Sequence, residues 1–170
     1  MVAAFFNNIL KENRIMNIAL VAHDGRKREL LEWALYNIET LKHHNLFATG
    51  TTGKLLKQIC QLNPEHTGTC YPLEDKVTCL LSGPLGGDQQ IGAMVAEGKV
   101  DVLIFFCDNL ITQGHQNDVS ALVRLASLYN IAFATNRTTA DMILTSPLFN
   151  NPDYERKIPA AIENYKNRKV

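Results

Sequence analysis

Short apolar runs alternate with longer amphipathic stretches along this chain. Each apolar run spans three to six residues and ends at glycine or polar positions. Runs of this length and composition are typical of strands that are buried on both faces of a sheet. The predicted strands occupy residues 17–22, 46–48, 77–81, 102–107 and 131–134.

The stretches between these strands have helical periodicity. In the first, Leu30, Leu31, Ala34, Leu35 and Ile38 recur at helical spacing, with charged residues on the other face. Strict alternation of strand and helix predicts an α/β fold: one domain, doubly wound, with three α/β/α layers around a five-stranded parallel sheet. The predicted helices occupy residues 26–41, 52–62, 88–97, 118–129 and 138–144.

Length, charge and hydropathy limit the kinds of molecule that this chain is expected to bind. The 170 residues, 46% of them hydrophobic, suffice for one domain with a substantial core. Seventeen basic and seventeen acidic residues give a formal net charge of +0, which argues against a nucleic-acid-binding surface. No run approaches the roughly 20 apolar residues of a membrane span, and the chain's start lacks the pattern of a secretion signal. A small-molecule ligand fits these features best.

Residues 63–72 form the one irregular stretch, because their prolines and glycine cannot continue the preceding helix. We expect an exposed excursion there. His66 and Cys70 could ligate a metal in principle, but no second close pair accompanies them, so no metal site is predicted. The four cysteines, at positions 60, 70, 79 and 107, show no Cys-x-x-Cys spacing. We expect reduced thiols in a cytoplasmic protein.

Polar residues and glycines follow every predicted strand. Because parallel strands place their carboxyl ends at one edge of the sheet, where ligands bind in such folds, we expect these residues to converge. Asp88 is of particular interest, since it follows a buried strand and three glycines that let the backbone approach an anion. The candidates at this edge are His23, Asp24, Lys27, residues 49–53 and 82–90, Asp108, His115, Asp118 and residues 135–139.

Residues 49–53 (TGTTG) predict an anion-binding segment. Their glycines permit a tight turn, their hydroxyls donate to phosphate oxygens, and a helix begins at the same point. Lys27 lies near the start of the first helix and could reach the same anion. The alternative is that Thr51 or Thr52 simply caps the following helix. Neither the P-loop spacing nor Gly-x-Gly-x-x-Gly occurs, which argues against a P-loop nucleotide site and against a nicotinamide-binding site.

The titratable residues at this edge could instead have purely structural roles. Asp24, Asp88 and Asp118 each precede or begin a predicted helix and could serve as N-caps. A single histidine at a strand end is likewise often a hydrogen-bonded structural residue. Convergence favours function, because three carboxylates with His23 and His115 beside an anion-binding segment supply a base, an electrophile and an orienting group.

As a set, these segments resemble methylglyoxal synthases, in order and nearly in full. The resemblance covers residues 17–147, and GGDQQ at 86–90 is its most specific part. It implies a catalytic domain at 17–150, an N-terminal extension at 1–16, and a tail at 151–170 that packs on the domain or a neighbouring subunit. The matching segments are VAHD at 21–24, ATGTTG at 48–53, SGPLGGDQQ at 82–90, DVLIFF at 101–106, LVRLA at 122–126 and IAFATN at 131–136.

The resemblance implies a cofactor-free lyase that converts dihydroxyacetone phosphate to methylglyoxal and inorganic phosphate, as a homohexamer in the cytoplasm. Asp88 would abstract a proton beside the carbonyl, His115 would polarise the carbonyl oxygen, and His23 would contact substrate. Asp24, Asp108 and Asp118 would orient groups or share protons. The phosphate, which is also a candidate inhibitor, is expected on Lys27, Thr49, Gly50, Thr51, Thr52, Ser82 and Gly83, with Arg168 reaching across a subunit contact.

Two departures from the family pattern stand out. Family members often carry prolines around the histidine where this chain reads QGHQND at 113–118, and residues 63–76 are longer than the family needs. Two other functions remain as alternatives. One is a non-catalytic ligand-sensing module of the same fold, as found in carbamoyl phosphate synthetases. The other is a phosphosugar isomerase.

Overall fold

The computed structural model describes residues 14–66, 68–111 and 114–168. Most of the expected N-terminal extension, residues 1–13, lies outside these ranges, as does residue 113 of the His115 segment. Within the described residues, five parallel strands form one sheet in the order β3-β2-β1-β4-β5. This confirms the predicted sheet. The strands are β1 Asn17–Ala22, β2 Asn45–Thr49, β3 Val77–Leu80, β4 Val102–Phe106 and β5 Ala132–Ala134.

Helices cover both faces of the sheet, which confirms the three-layer architecture. On one face, α5 and α6 pack Ile91, Val95 and Leu122 against β1 and β4. On the other, α1 to α4 and α7 form the larger core. β1 and β4 are therefore buried on both faces, as their continuous apolar sequences require. The helices are α1 Lys27–Tyr36, α2 Ile38–Leu41, α3 Gly50–Lys57, α4 Ile59–Leu62, α5 Gly87–Ala96, α6 Gln116–Leu128, α7 Arg137–Thr145 and α8 Ala160–Lys166.

Two predicted helices are each divided in two. The stretch predicted at 26–41 breaks at Asn37, and that at 52–62 breaks at Gln58; both residues have φ near −100° and ψ near +14° (Asn37 −99° and 16°, Gln58 −100° and 12°). The Asn37 side chain donates to the carbonyl of Trp33 at 2.9 Å. A side-chain amide that occupies a helical carbonyl offers the backbone an alternative to continuing the helix.

Cys60 and Cys70 form a disulfide, so the expectation of four reduced cysteines is wrong. Cys60 lies in α4, and the irregular chain after that helix folds back to place Cys70 beside it, a proximity that the spacing in sequence does not reveal. The next residue, Tyr71, lies under the Nζ of Lys42, 3.4 Å from the ring centroid. Leu73 is fully buried. The end of the irregular stretch is therefore fastened to the core.

Two buried polar rings connect separate parts of the larger core. The indole Nε1 of Trp33, in α1, donates to Asp141 of α7 at 2.8 Å, and its ring packs edge-on against Phe106 of β4. His44, 2% exposed, precedes β2 and accepts the backbone N–H of Met16 at 3.2 Å. Burial lowers the pKa of His44 to about 4.

Candidate active site

A cavity of about 630 Å³ opens at the carboxyl edge of the sheet. It lies where β1 and β4, neighbours in space but distant in sequence, send their chains to opposite sides, which is the usual ligand position in such sheets. The structure brings most of the predicted site residues into its wall. They are His23, Asp24, Lys27, Thr49, Gly50, Thr51, Thr52, Ser82, Gly83, Asp88, His115 and Asp118.

Two residues to which the resemblance assigns a role are not in this wall, and neither are the candidate residues 135–139. Asp108 lies behind His23, where its backbone N–H donates to the Nδ1 of His23 at 2.9 Å. Arg168 follows α8 and stacks its guanidinium 4.0 Å from the ring centroid of Tyr165. Within one chain, therefore, Asp108 contacts the cavity residue His23 without lining the cavity, and the structure does not bring Arg168 to the cavity.

Asp88 and His115 form a hydrogen-bonded pair in the cavity wall. Asp88 lies in the first turn of α5 and is 2% exposed. Its Oδ2 is 2.8 Å from the Nδ1 of His115, whereas its Oδ1 is buried without a partner. Gly83 permits this arrangement, because a Cβ there would lie 3.0 Å from the His115 ring and 3.1 Å from Asp88 Oδ2. One carboxylate oxygen is thus held and the other is free.

The hydrogen bond from Asp108 determines the tautomer of His23. Since Nδ1 accepts a backbone N–H, the proton of the neutral ring must be on Nε2. Burial and the adjacent His115 lower the pKa of His23, which favours this neutral form. Its Nε2 is buried and has no partner in the protein. His23 therefore presents one unused N–H donor at the cavity, with its ring centroid 5.8 Å from that of His115.

The predicted anion-binding segment joins β2 to α3. Gly50 has φ +35°, and a Cβ at this position would overlap Ser82 Oγ, so the close approach of the two loops requires glycine. The N–H of Gly50 donates to the Leu81 carbonyl. The next first-turn N–H groups of α3, those of Thr51 and Thr52, have no intrahelical acceptor and are therefore available to an anion. The Thr52 hydroxyl is buried without a partner.

Lys27 supplies the positive charge beside this segment. Its Nζ is 2.5 Å from Asp24 Oδ1, and this ion pair lowers the pKa of the exposed Asp24 carboxyl. Lysine and arginine residues commonly hold phosphate groups together with helix N-termini. The cavity therefore combines an anion-binding end, formed by Lys27 and α3, with a titratable end formed by His23, Asp88 and His115.

Buried polar atoms without partners mark where a ligand would bind. Among the described residues there are four such side-chain atoms, and three belong to the cavity wall: His23 Nε2, Thr52 Oγ1 and Asp88 Oδ1. A buried donor or acceptor without a partner costs about 1–3 kcal/mol, so a ligand that pairs these atoms recovers that cost. The set consists of a donor, a hydroxyl and an acceptor, which suits a polar, oxygen-rich molecule.

Sequence reasoning missed the apolar part of the cavity wall. Phe105 belongs to β4, and its ring packs edge-on against His23, with centroids 5.0 Å apart. Phe105 and the missed residues of β1 resemble core positions in the sequence. Only their place near the carboxyl ends of β4 and β1 could have revealed them. The missed wall residues are Val21, Ala22, Phe105 and Gly114. No group of three potential metal ligands lies together in the part of the chain that the structure describes.

Comparison with known proteins agrees with this geometry. The family model described as the MGS-like domain matches residues 29–135. The chain belongs to the MGS-like domain family. A methylglyoxal synthase from Proteus mirabilis is 54% identical over 145 residues, which cover 82% of this chain and 87% of that protein. One from Maridesulfovibrio salexigens is 47% identical over 159 residues, covering 93% and 99%.

A solved structure shows that the similarity to this family extends to the three-dimensional fold. The crystal structure of methylglyoxal synthase from Elizabethkingia anophelis NUHP1 superposes with a TM-score of 0.76 at 40% identity, covering 94% of this chain and 98% of that one. The family resemblance seen in the sequence motifs is therefore confirmed. No helix in the described ranges is long and apolar enough to cross a membrane.

Proposed function

We propose that the chain has methylglyoxal synthase activity and converts dihydroxyacetone phosphate to methylglyoxal and inorganic phosphate without a cofactor. One observation carries the proposal. A free carboxylate oxygen, Asp88 Oδ1, and a free donor, His23 Nε2–H, line the same cavity as an anion-binding helix start. The relatives at 47–54% identity carry the name of this enzyme.

Asp88 is the proposed base. Its Oδ1 takes a proton from the hydroxyl-bearing carbon next to the substrate carbonyl, and the C–H electron pair forms the enediolate. The hydrogen bond between Oδ2 and His115 supports this role, because it fixes the carboxylate and leaves only Oδ1 for the substrate. Positioned proton transfer of this kind contributes about 10²–10⁴-fold to a rate.

His23 and His115 are the proposed partners of the substrate carbonyl oxygen. The neutral His23 donates through Nε2, as the hydrogen bond from Asp108 requires. His115, whose Nδ1 is held by Asp88, is proposed to polarise the same oxygen through its other ring nitrogen. Donors already in place where negative charge develops lower the barrier without reorganisation. Asp118, in the first turn of α6 close to His115, is proposed to orient this pair or share its proton.

The anion-binding end is proposed to hold the substrate phosphate. Lys27, Ser82, Gly83 and residues 49–52 surround this position, and Asp24 is proposed to orient Lys27. The enediolate electrons expel phosphate only if the breaking C–O bond lies out of the enediolate plane, where it overlaps the π system. The phosphate then leaves with the electron pair of that bond, and the remaining enol ketonises to methylglyoxal. Rigid positioning of the phosphate thus separates elimination from isomerisation.

The assembly and location also belong to the proposal. We propose a homohexamer in which Arg168 of one subunit reaches the phosphate of the next, and in which inorganic phosphate inhibits as a product. We assign the catalytic domain to residues 17–150 and the tail to 151–170. A cytoplasmic location is proposed as well. Because disulfides are uncommon there, trapping free thiols in intact cells tests whether the bond between Cys60 and Cys70 coexists with that location.

The test compares the wild-type chain with Asp88→Asn and, as a matched control, Asp75→Asn at an exposed carboxylate. Each is incubated with dihydroxyacetone phosphate, and methylglyoxal and phosphate are measured together. We expect equal amounts of both products from wild type and Asp75→Asn, and loss of turnover in Asp88→Asn with phosphate binding retained. Phosphate binding without turnover in wild type would indicate the ligand-sensing module, and glyceraldehyde phosphate as product would indicate an isomerase.

A further inference from the structure

A second cavity, of about 160 Å³, lies at the opposite edge of the sheet from the catalytic one. It is formed where β4 and β5 begin, at Val102 and Ala132, and where the chain after α7 turns back along the domain. None of its wall residues belongs to the catalytic cavity. Neither the resemblance nor the proposed reaction assigns any role to it.

The floor of this second cavity is apolar. Met16, Val102 and Phe149 are buried core residues, and Ile143 and Leu148 continue the apolar surface. The rest of the wall includes the polar residues Asn130 and Ser146. A void of about 150 Å³ is large enough to bind a molecule of the size of benzene. The volume therefore suits one six-membered ring or a short branched alkyl group.

Two arginines stand at the rim, and their pairing differs. Arg14 donates to the carboxylate of Asp101 at 3.1 Å and to the Tyr154 carbonyl at 2.8 Å. Among the described residues, Arg156 donates only to the carbonyl of Val100, at 3.0 Å, and no carboxylate lies within ion-pair distance of it. Half-buried arginine is normally paired, since its five donors match a carboxylate. The rim thus carries one positive charge that the described residues do not neutralise.

From this charge and volume we infer that the second cavity binds a small monocarboxylate with an apolar body. The ring or alkyl group occupies the floor between Val102 and Phe149, and the carboxylate accepts hydrogen bonds from the guanidinium of Arg156. An arginine and carboxylate pair of this kind is bidentate and more specific than a single hydrogen bond. The inference does not depend on the proposed reaction.

The probe is 4-fluorobenzoate, observed by ¹⁹F NMR with the full-length chain in excess inorganic phosphate, which fills the anion-binding end of the catalytic cavity. We expect saturable binding that benzoate displaces and benzamide, which lacks the charge, does not. Arg156→Gln should weaken binding at least tenfold, and Ile143→Phe, which fills the floor, should abolish it. Arg28→Gln removes a guanidinium exposed on α1 and should leave binding unchanged.

Four results would overturn the inference. They are the absence of saturable binding in excess phosphate, equal competition by benzamide, wild-type affinity in Arg156→Gln, and wild-type affinity in Ile143→Phe. Circular dichroism of each variant shows whether it is folded. If Arg156→Gln fails to fold, Ile143→Phe and the comparison of benzoate with benzamide still decide the matter.

Discussion

Acidification should destabilise the fold through His44. This ring is buried before β2, accepts the Met16 N–H and packs edge-on against Phe149, with centroids 5.1 Å apart. Its pKa is about 4 in the folded protein against an ordinary value of 6.5, so the unfolded chain binds the proton more tightly. Stability is therefore greatest above pH 6.5 and falls as the pH drops towards 4.

The size of the effect follows from the two pKa values of His44. Their difference corresponds to about 3 kcal/mol when the pH lies below both. At pH 5 the ring is largely protonated in the unfolded chain but largely neutral in the folded one, and about 2 kcal/mol has been lost. A domain with a total stability of roughly 5–15 kcal/mol registers such a loss clearly.

Urea titrations followed by circular dichroism at pH 8 and pH 5 measure the loss. Carboxylates titrate over the same range, so the informative quantity is the free energy of unfolding of wild type minus that of His44→Gln, which keeps an acceptor but does not titrate. We expect this difference to fall by about 2 kcal/mol between pH 8 and pH 5. His43→Gln removes a neighbouring imidazole that also lowers the pKa of His44, so it should make this pH dependence weaker without abolishing it. A difference that stays constant with pH would refute the reasoning.

Three further predictions concern other parts of the molecule. Reduction of the bond between Cys60 and Cys70 should lower the free energy of unfolding by about 3 kcal/mol, as expected for a loop of this length, and a Cys60→Ser/Cys70→Ser variant should not respond to reductant in urea titrations. Asp24→Asn should tighten inorganic phosphate binding in calorimetry, because the carboxylate no longer competes for Lys27; unchanged or weaker binding contradicts this. Asn136→Ala removes the cap of α7 and should cost about 1 kcal/mol, seen as a lower urea midpoint.

The sequence pattern located most accurately the strands whose residues are buried on both faces of the sheet. β1 has the predicted bounds, and β4 ends one residue earlier than predicted, because both strands are covered on two faces and read as unbroken apolar runs. The breaks at Asn37 and Gln58 were not foreseen, since the apolar spacing continues through both residues. The break at Asn37 accompanies a side-chain hydrogen bond to the Trp33 carbonyl, which periodicity does not encode.

The site was predictable to the extent that it lies at the ends of strands. The rule that parallel strands share a carboxyl edge is sufficient to predict that His23, Asp88 and His115 lie close together. The rule carries no information about hydrogen-bond direction, so the tautomer of His23 and the free oxygen of Asp88 required the structure. The disulfide at Cys60 was missed for a related reason, because tertiary folding alone brings its partner within reach.

The packing of Trp33 makes it an internal optical probe. It is the only tryptophan of the chain, fully buried, bonded to α7 and in contact with β4. Its indole is not part of either cavity wall. Its fluorescence should therefore shift when the domain unfolds and remain constant when substrate, phosphate or a carboxylate binds. The protein thus carries an unlabelled reporter that separates loss of ligand binding from loss of structure in every variant named above.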